Sequence, residues 1–516
     1  MIPLYDEFNS LGEMLRGSAL RLKDRTAVIF QQMPVSYAQI ESFSNRFANF
    51  LREKGVGKGD RIGLYCVNSQ WFVIAYFGIL KTGATVVPVN LLLSAEEIQY
   101  ILMDSGAAGL VYFEAFENNI SSIKNTLHDL RFMVTVGKPG IQGTSTLGEI
   151  LRSGPDDFRI PLMDQKEDVA AILYTSGTTG QPKGAMLTHR NLLFNVNSVL
   201  QILNVDEKDV FLTVLPLFHA FGATAGMITP LAAGSTIAAV PRFAPGDVAQ
   251  VIRETESTIF LGVPSMYKMI TDLPDERIPD FRSLRFCISG GDALPAEILE
   301  RFEGKYHVLI YEGDGPTECS PVTAVNPIGG KRKLCSIGKT VPGVDMRIVD
   351  DNGNELKQGE TGELVVRGEN VMKGYFKRPE DTRESFFGEW FRTGDIGYRD
   401  EEDYFYIVDR KKDMVIVSGM NVYPRMVENV LRRHPAVAEA AVVPEPHPVH
   451  GEIPRAVIVL KPGATATRRE ILKFCSEHLG RHEIPRIIEI VAELPRTPTG
   501  KVLKRLLRSG RKRYYN

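Results

Sequence analysis

The sequence predicts an α/β fold: a large N-terminal domain of layered α/β sheets with a β-rich subdomain, and a small C-terminal α+β domain. Three observations carry that reading. Short apolar strands alternate with helical patterns through the first third of the chain, the pattern of a largely parallel sheet. The texture changes near Lys339 to alternating segments punctuated by turns. A chain of 516 residues also exceeds what one hydrophobic core supports, which calls for two or more domains. The expected boundaries are 1–409 for the N-terminal domain, its β-rich part at about 339–409, and 410–516 for the C-terminal domain.

The elements follow in order. Phe43, Phe47, Phe50 and Leu51 recur at helical spacing and predict an amphipathic helix over 37–51. Asp60 to Tyr65 reads as a strand, Trp71 to Leu80 as a helix and Thr85 to Pro88 as another strand. Ser94-Ala-Glu-Glu97 is a capping-box pattern opening the next helix. Val169 to Tyr174 is a short apolar run that stops abruptly at a polar loop, as a buried strand does. After that loop, Leu192, Leu193, Val196, Val199, Leu200 and Leu203 mark one helix face. Val344 to Asp350, a turn at Asn352-Gly353, and Leu364 to Arg367 read as a hairpin region, with Tyr404 to Val408 a further strand. In the last domain Pro424 suits the first turn of a helix running to Leu431. Val437–Val443 and Arg455–Leu460 read as strands. Thr467-Arg-Arg-Glu470 caps a helix ending near Leu479, and Ile487–Val491 is the last strand.

Composition excludes several classes. With 43% hydrophobic and 24% charged residues and a net charge of −2, no global field points to nucleic acid. Cys66, Cys287, Cys319, Cys335 and Cys475 form no close pairs, which argues against a zinc site or a disulfide framework and fits a reducing cytoplasm. The N-terminal MIPLYDEFNS lacks a basic-then-apolar signal design. The longest apolar run, Trp71 to Leu80, is too short to span a bilayer and reads as a core helix.

The chemistry centres on Tyr174 to His189, YTSGTTGQPKGAMLTH. Gly177, Gly180 and Gly184 permit positive φ, so successive backbone N–H groups can turn inward as an anion-binding concavity. Thr175, Ser176, Thr178 and Thr179 add hydroxyls, and Lys183 adds a point charge suited to phosphate. A flexible linker would not lie between two apolar segments, Ile172-Leu173 and Ala185-Met186-Leu187. A Walker loop is excluded because Lys183 follows Gly177 by six residues and is itself followed by Gly184.

That string resembles the phosphate loop of the adenylate-forming superfamily, which includes acyl-CoA synthetases, peptide-synthetase adenylation domains and luciferases. Further motifs follow in the family's order. Leu215-Pro-Leu-Phe-His-Ala-Phe-Gly222 is similar to the aromatic wall of the acyl pocket, which implies roles for Phe218, His219 and Phe221, with Gly262 bordering the same pocket. A lone histidine beside aromatics is more often a satisfied core residue. Ser289-Gly-Gly-Asp-Ala-Leu-Pro295 resembles the adenine-side loop, implicating Gly291, Asp292 and Ala293; a strand-to-helix turn would need the same glycines.

Tyr311-Glu-Gly-Asp-Gly-Pro-Thr-Glu318 is similar to the motif ending in Thr-Glu. The resemblance places Glu312, Gly313 and Asp314 near the nucleotide, Thr317 on phosphate, and Glu318, with Thr175, on Mg²⁺ as hard oxygen ligands. Asp314 stands where the family usually has an adenine-stacking aromatic. Trp390 to Gly397 implies that Asp395 binds both ribose hydroxyls, although a simple Asx turn would also use an aspartate there. Arg410 is implied on the ribose, Lys412 at an interdomain hinge, and Ser418-Gly419 beside the CoA tunnel. Pro495 to Val502 matches the loop carrying the family's catalytic lysine, here Lys501.

The resemblance therefore implies ATP, Mg²⁺ and CoA as reaction partners, a small-molecule carboxylic acid as substrate, and a mobile C-terminal domain. The run from Asp409 to Pro424 is most similar to fatty acyl-CoA ligases. Aryl-acid CoA ligase and acid-to-carrier-protein ligase are the nearest rivals. A peptide-synthetase domain is disfavoured because no carrier domain is expected after these motifs in this sequence, and a non-catalytic nucleotide-binding relative would not need Glu318, Asp395, Arg410 and Lys501 together. Peripheral membrane contact, and the choice between monomer and homodimer, stay open.

Overall fold

The computed structural model of the protein describes residues 3–175, 181–496 and 502–508. The chain forms two compact units, Met1–Met346 with Val366–Phe391, and Arg347–Val365 with Arg392–Asn516. The second unit thus takes in 347–365 and 392–409, which the sequence reading had grouped with the N-terminal side of the 409/410 boundary.

Two sheets build the first unit. One has eight strands in the order Gly374–Tyr375, Lys183–Thr188, Val169–Thr175, Thr85–Pro88, Arg61–Tyr65, Gly109–Phe113, Phe132–Val136, Ser145–Thr146. It is parallel from Val169–Thr175 to Ser145–Thr146, while Lys183–Thr188 returns antiparallel. The other has nine strands, with six parallel strands in the middle and antiparallel pairs at both edges.

Helices pack on these sheets, although Phe43 and Phe50, expected on the apolar face of the helix over 37–51, are only half-buried. Tyr37–Glu53 buries Ile40, Phe47, Ala48 and Leu51 and begins on a capping box at Ser36. Gln70–Lys81 is buried at every position except Trp71, so it is a core helix, apolar nearly all round. The two helices approach closely because Gly78 lacks a side chain: a Cβ there would lie 2.6 Å from the Phe47 ring. Lys81 ends the second helix fully buried, bonded to Glu41 at 2.6 Å, Ser44 at 2.8 Å and Asn45 at 2.7 Å. Burial pushes its pKa down to about 8, against the pull of Glu41. The pair is a satisfied buried charge between helices rather than a reactive lysine.

The second unit contains an antiparallel pair, Trp390–Arg399 (from residue 392) with Phe405–Arg410, and a five-stranded sheet. In that sheet Gly451–Leu460 is paired antiparallel to Val437–His447 and parallel to Ile487–Val491. Helices Pro424–Arg432 and Arg468–His478 cover it, and Val427, Leu431, Val442, Ile458, Ile471 and Cys475 form its core. The predicted capping boxes at Ser94 and Thr467 are both present. Cys335 is exposed and the other four cysteines are buried.

Candidate functional site

The strand Val169–Thr175 and its antiparallel return Lys183–Thr188 bring Thr175 opposite Lys183. The chain between them carries Ser176, Gly177, Thr178, Thr179 and Gly180, which lie outside the described residues. Gly184 departs from the expectation that it serves a turn. It sits within the return strand, where a Cβ would lie 2.6 Å from Ile172 and 3.2 Å from Tyr174. Its missing side chain serves close strand packing, not positive φ.

Beside this hairpin runs the Thr-Glu motif. Thr317 and Glu318 occupy a short 3₁₀ turn, Thr317–Cys319, after the strand Ile310–Asp314. The turn is anchored at its backbone: Met372 N–H donates to the Glu318 carbonyl at 2.7 Å, and Asn370 to the Cys319 carbonyl at 3.0 Å. Glu318 Oε1 lies 3.4 Å from the Thr175 hydroxyl and accepts from the Tyr375 hydroxyl at 2.8 Å. Lys183 pairs with Asp381 and sits 5.5 Å from the centre of the Tyr375 ring. Tyr174 donates to Asp104 at 2.7 Å. Burial first, and Asp104 second, hold the Tyr174 phenol above its ordinary pKa. Burial and then Glu318 do the same for Tyr375. Both phenols are therefore neutral donors across the physiological range. A cation, an anion and hydroxyl donors converge here, and the sequence had identified Thr175, Lys183 and Glu318.

Three further motifs meet at the carboxyl ends of adjacent parallel strands. Gly262, Ser289 and Glu312 stand side by side in register, the place where open α/β sheets bind ligands. Gly290 N–H donates to the Gly262 carbonyl at 3.2 Å, and a Cβ on Gly290 would touch Phe221 at 3.1 Å. Gly291 has φ of +80° and only Val263 near its Cβ position, so the chain turns there without a wall of side chains. Ala293 N–H bonds to Asp292 at 2.9 Å, and both Gly291 and Asp292 are exposed. Glu312 is buried and accepts from Leu294 N–H at 2.9 Å, so its carboxylate holds the 290–295 loop in place. Gly313 lies against the Ala324 carbonyl, and the Asp314 carbonyl accepts from Thr323 N–H and hydroxyl, both at 3.0 Å.

Phe221 packs with Leu261, Val263 and Ile288, while Phe218 is buried. His219 is not the satisfied core histidine that its neighbours suggest. It is exposed, and its Nδ1 accepts from Phe221 N–H at 3.3 Å to cap the short helix Ala220–Ala223. Sequence reasoning passed over Tyr375, Asp381 and Asp104, since none belongs to the motifs it weighed. It also passed over the Ser289 hydroxyl, which is buried with no hydrogen-bond partner among the described residues.

In the second unit Asp395 faces Arg410 across the antiparallel pair, with Arg410 Nε 3.1 Å from Asp395 Oδ1. Asp395 is buried and its N–H donates to the Thr393 hydroxyl at 3.0 Å, so the Asx-turn alternative does not describe the carboxylate, which engages Arg410 instead. Lys412 lies in a 3₁₀ turn, Lys411–Asp413. Burial first, then Arg410, depresses its pKa. Ser418 and Gly419 form the turn of a tight hairpin with φ of +51° and +82°, and the Ser418 hydroxyl lies 2.8 Å from His450 Nδ1. Lys501 lies outside the described residues. On either side of its loop, Arg496 and Val502 pair as an antiparallel bridge.

Residues 15–376 match the AMP-binding enzyme family and residues 426–501 its C-terminal domain. The chain belongs to that adenylate-forming family. A long-chain-fatty-acid–CoA ligase from Bacillus subtilis is 35% identical, covering 96% of this chain and 94% of that protein. The anthranilate CoA ligase AuaEII in complex with anthranoyl-AMP superimposes with TM-score 0.89 at 31% identity, over 96% of both chains. ATP-bound MatB from Rhodopseudomonas palustris has TM-score 0.89 at 30% identity, over 96% of this chain and 98% of that one.

Proposed function

We infer that the protein is an AMP-forming acid–thiol ligase that activates a medium- or long-chain fatty acid with ATP, releases pyrophosphate, and passes the acyl group to CoA. The observation that carries the reading is the meeting of Thr175, Lys183 and Glu318 at one end of the hairpin, beside the row Gly262–Ser289–Glu312. The fatty acid and CoA rest on the B. subtilis relative.

A carboxylate is a poor acyl donor because its leaving group would be oxide. Attack of its oxygen on the ATP α-phosphorus forms the acyl-adenylate and breaks the bond to pyrophosphate. The chain's part is positioning and charge neutralisation. Thr175 and Lys183, with Ser176–Gly180, hold the β- and γ-phosphates. Thr317 donates its hydroxyl to phosphate. Gly291, Asp292, Ala293, Gly313 and Asp314 border the adenine, Asp395 and Arg410 bind the ribose, and Phe218, His219, Phe221 and Gly262 line the acyl pocket. Lys501 neutralises the charge that develops at the α-phosphate.

The donor set of Thr175 and Glu318 fits Mg²⁺: two hard oxygens lie close together, and Glu318 Oε2 has no partner among the described residues. That leaves coordination positions for phosphate oxygens and water. When bound, Mg²⁺ neutralises and orients the polyphosphate. In the second half-reaction Ser418-Gly419 borders the incoming CoA and Lys412 is the hinge, with 1–409 and 410–516 as the moving parts. No helix among the described residues is long and apolar enough to cross a membrane. The cysteines, which form no close pairs in the sequence, support a reducing cytoplasm as the enzyme's location.

Carboxylate-dependent pyrophosphate release tests the enzyme against a non-catalytic nucleotide binder. CoA consumption then tests the acceptor against a carrier protein. A panel of acids of graded length, with benzoate and anthranilate included, tests the acid. Turnover confined to aryl acids would favour the alternative that the AuaEII likeness supports.

A further inference from the structure

The segment Gly374–Glu384 is absent from the motifs that suggested the function, yet it reaches the centre of the phosphate site. Gly374-Tyr375 forms a two-residue strand against the return strand of the phosphate hairpin, with Tyr375 opposite Ala185 and Gly374 opposite Met186. The helix Pro379–Glu384 follows, and Thr382 in it accepts a hydrogen bond from Tyr375 N–H at 2.9 Å. Strand and helix are thereby fastened to each other and to the hairpin.

Tyr375 uses both parts of its side chain. Its hydroxyl donates to Glu318 Oε1 at 2.8 Å, the oxygen that also lies 3.4 Å from the Thr175 hydroxyl. Among the described residues the side-chain hydrogen bonds of Glu318 thus fall on one oxygen, Oε1. Its ring faces Lys183 Nζ at 5.5 Å, while Asp381 holds the same ammonium from another side. A lysine stem is flexible and its head is a point charge with no geometric preference, so a carboxylate and an aromatic face are what fix it. One residue therefore sets the spacing between the group that would hold a cation and the group that would hold a phosphate.

We propose that Tyr375 is a positioning residue of the metal–polyphosphate site: its hydroxyl orients Glu318 toward the Mg²⁺ of Mg·ATP, and its ring, with Asp381, orients Lys183 toward the phosphates. The proposal rests on the reading of Glu318 as a metal ligand and of Lys183 as a phosphate ligand. A tyrosine that merely fills space would contribute equally to every ligand of the site. A positioning tyrosine acts on the metal-bound form through its hydroxyl and on both forms through its ring.

The test is calorimetric titration of the full-length enzyme with Mg·ATP, and with metal-free ATP in EDTA. No carboxylic acid is present, so no turnover occurs. Tyr375→Phe should raise the Kd for Mg·ATP about tenfold, equivalent to about 1.4 kcal/mol, and change the Kd for metal-free ATP less than twofold. Tyr375→Leu, which also removes the ring, should weaken both. Glu318→Gln serves as the control and should abolish the advantage of Mg·ATP over ATP. If Glu318→Gln keeps that advantage, the metal-ligand reading falls and the proposal with it. If Glu318→Gln loses it while Tyr375→Phe binds Mg·ATP as the wild type does, the reading stands and the proposal is overturned. Equal weakening of both ligands by Tyr375→Phe would also overturn it, as would a Tyr375→Leu variant that leaves metal-free ATP unaffected.

Discussion

His189 gives this protein an acid-sensitive point whose size follows from its surroundings. It opens the helix His189–Leu203 and is fully buried. Its Nδ1 accepts from Leu11 N–H at 3.3 Å, and its Nε2 is buried with no hydrogen-bond partner among the described residues. The neutral ring fits this site with the proton on Nε2. Protonation would set an Nδ1–H against the Leu11 N–H and bury a charge. Burial accordingly pushes the pKa down to about 4, against the pull of Asp168 and with a small push from Lys58. The folded pKa lies below the unfolded value of about 6.5. The unfolded chain therefore binds the extra proton first, and stability falls as pH drops through 6.5 toward 4. Between pH 7.5 and 4.5 this residue alone should remove about 2.5 kcal/mol, from the linkage of about 1.36 kcal/mol per pH unit. His189→Asn keeps an acceptor where Nδ1 stands and does not titrate. The assay is urea unfolding against pH, followed by tryptophan fluorescence, since Trp71 and Trp390 both lie in the first unit. The variant should be less stable at pH 7.5 because ring volume is lost, yet its acid limb should be shallower by about 2.5 kcal/mol. Parallel limbs in the two proteins would refute the argument.

Three further outcomes are expected. Lys501→Ala should abolish acyl-adenylate formation but still transfer acyl groups from supplied acyl-AMP to CoA; equal loss of both half-reactions in a folded protein would count against its assigned role. Lys412→Pro fixes φ within the 3₁₀ turn Lys411–Asp413. Adenylation should survive and thioester formation collapse, and full CoA ligation by this variant would move the hinge elsewhere. Asp314→Tyr should lower the Michaelis constant for ATP about tenfold, because base–aromatic stacking contributes about 1–3 kcal/mol. It should also weaken the preference for ATP over GTP, and no change in either would show that Asp314 does not contact the base.

The local signals in this chain determined local structure. The capping residues Ser94 and Thr467 begin helices because the hydroxyl that bonds the third helical N–H lies three residues away, a distance any short window contains. The apolar run Val169–Tyr174 became a central strand for the same reason: a segment apolar on both faces has nowhere else to go. Motif order likewise identified the family, and it singled out Thr175, Lys183 and Glu318, which the fold brings together.

What tertiary structure decided are the relations that no short window holds. Gly184 read as a turn glycine because only pairing with Val169–Thr175 shows that Ile172 and Tyr174 occupy the space of its Cβ. For His219 the apolar neighbours alone suggest a core residue beside the pocket role that the motif implies, and only the fold shows the chain turning it outward to cap a helix. The alignment of Gly262, Ser289 and Glu312 depends on the registers of three strands, each brought to the sheet by its own crossover. Lys183 and Asp381 meet across 198 residues of sequence, and Tyr375 and Glu318 across 57. Those pairs form because Gly374-Tyr375 adds an antiparallel edge to the sheet that holds the 169–188 hairpin. The chemistry of each residue is written in its side chain, but the distance between two of them is a property of the sheet.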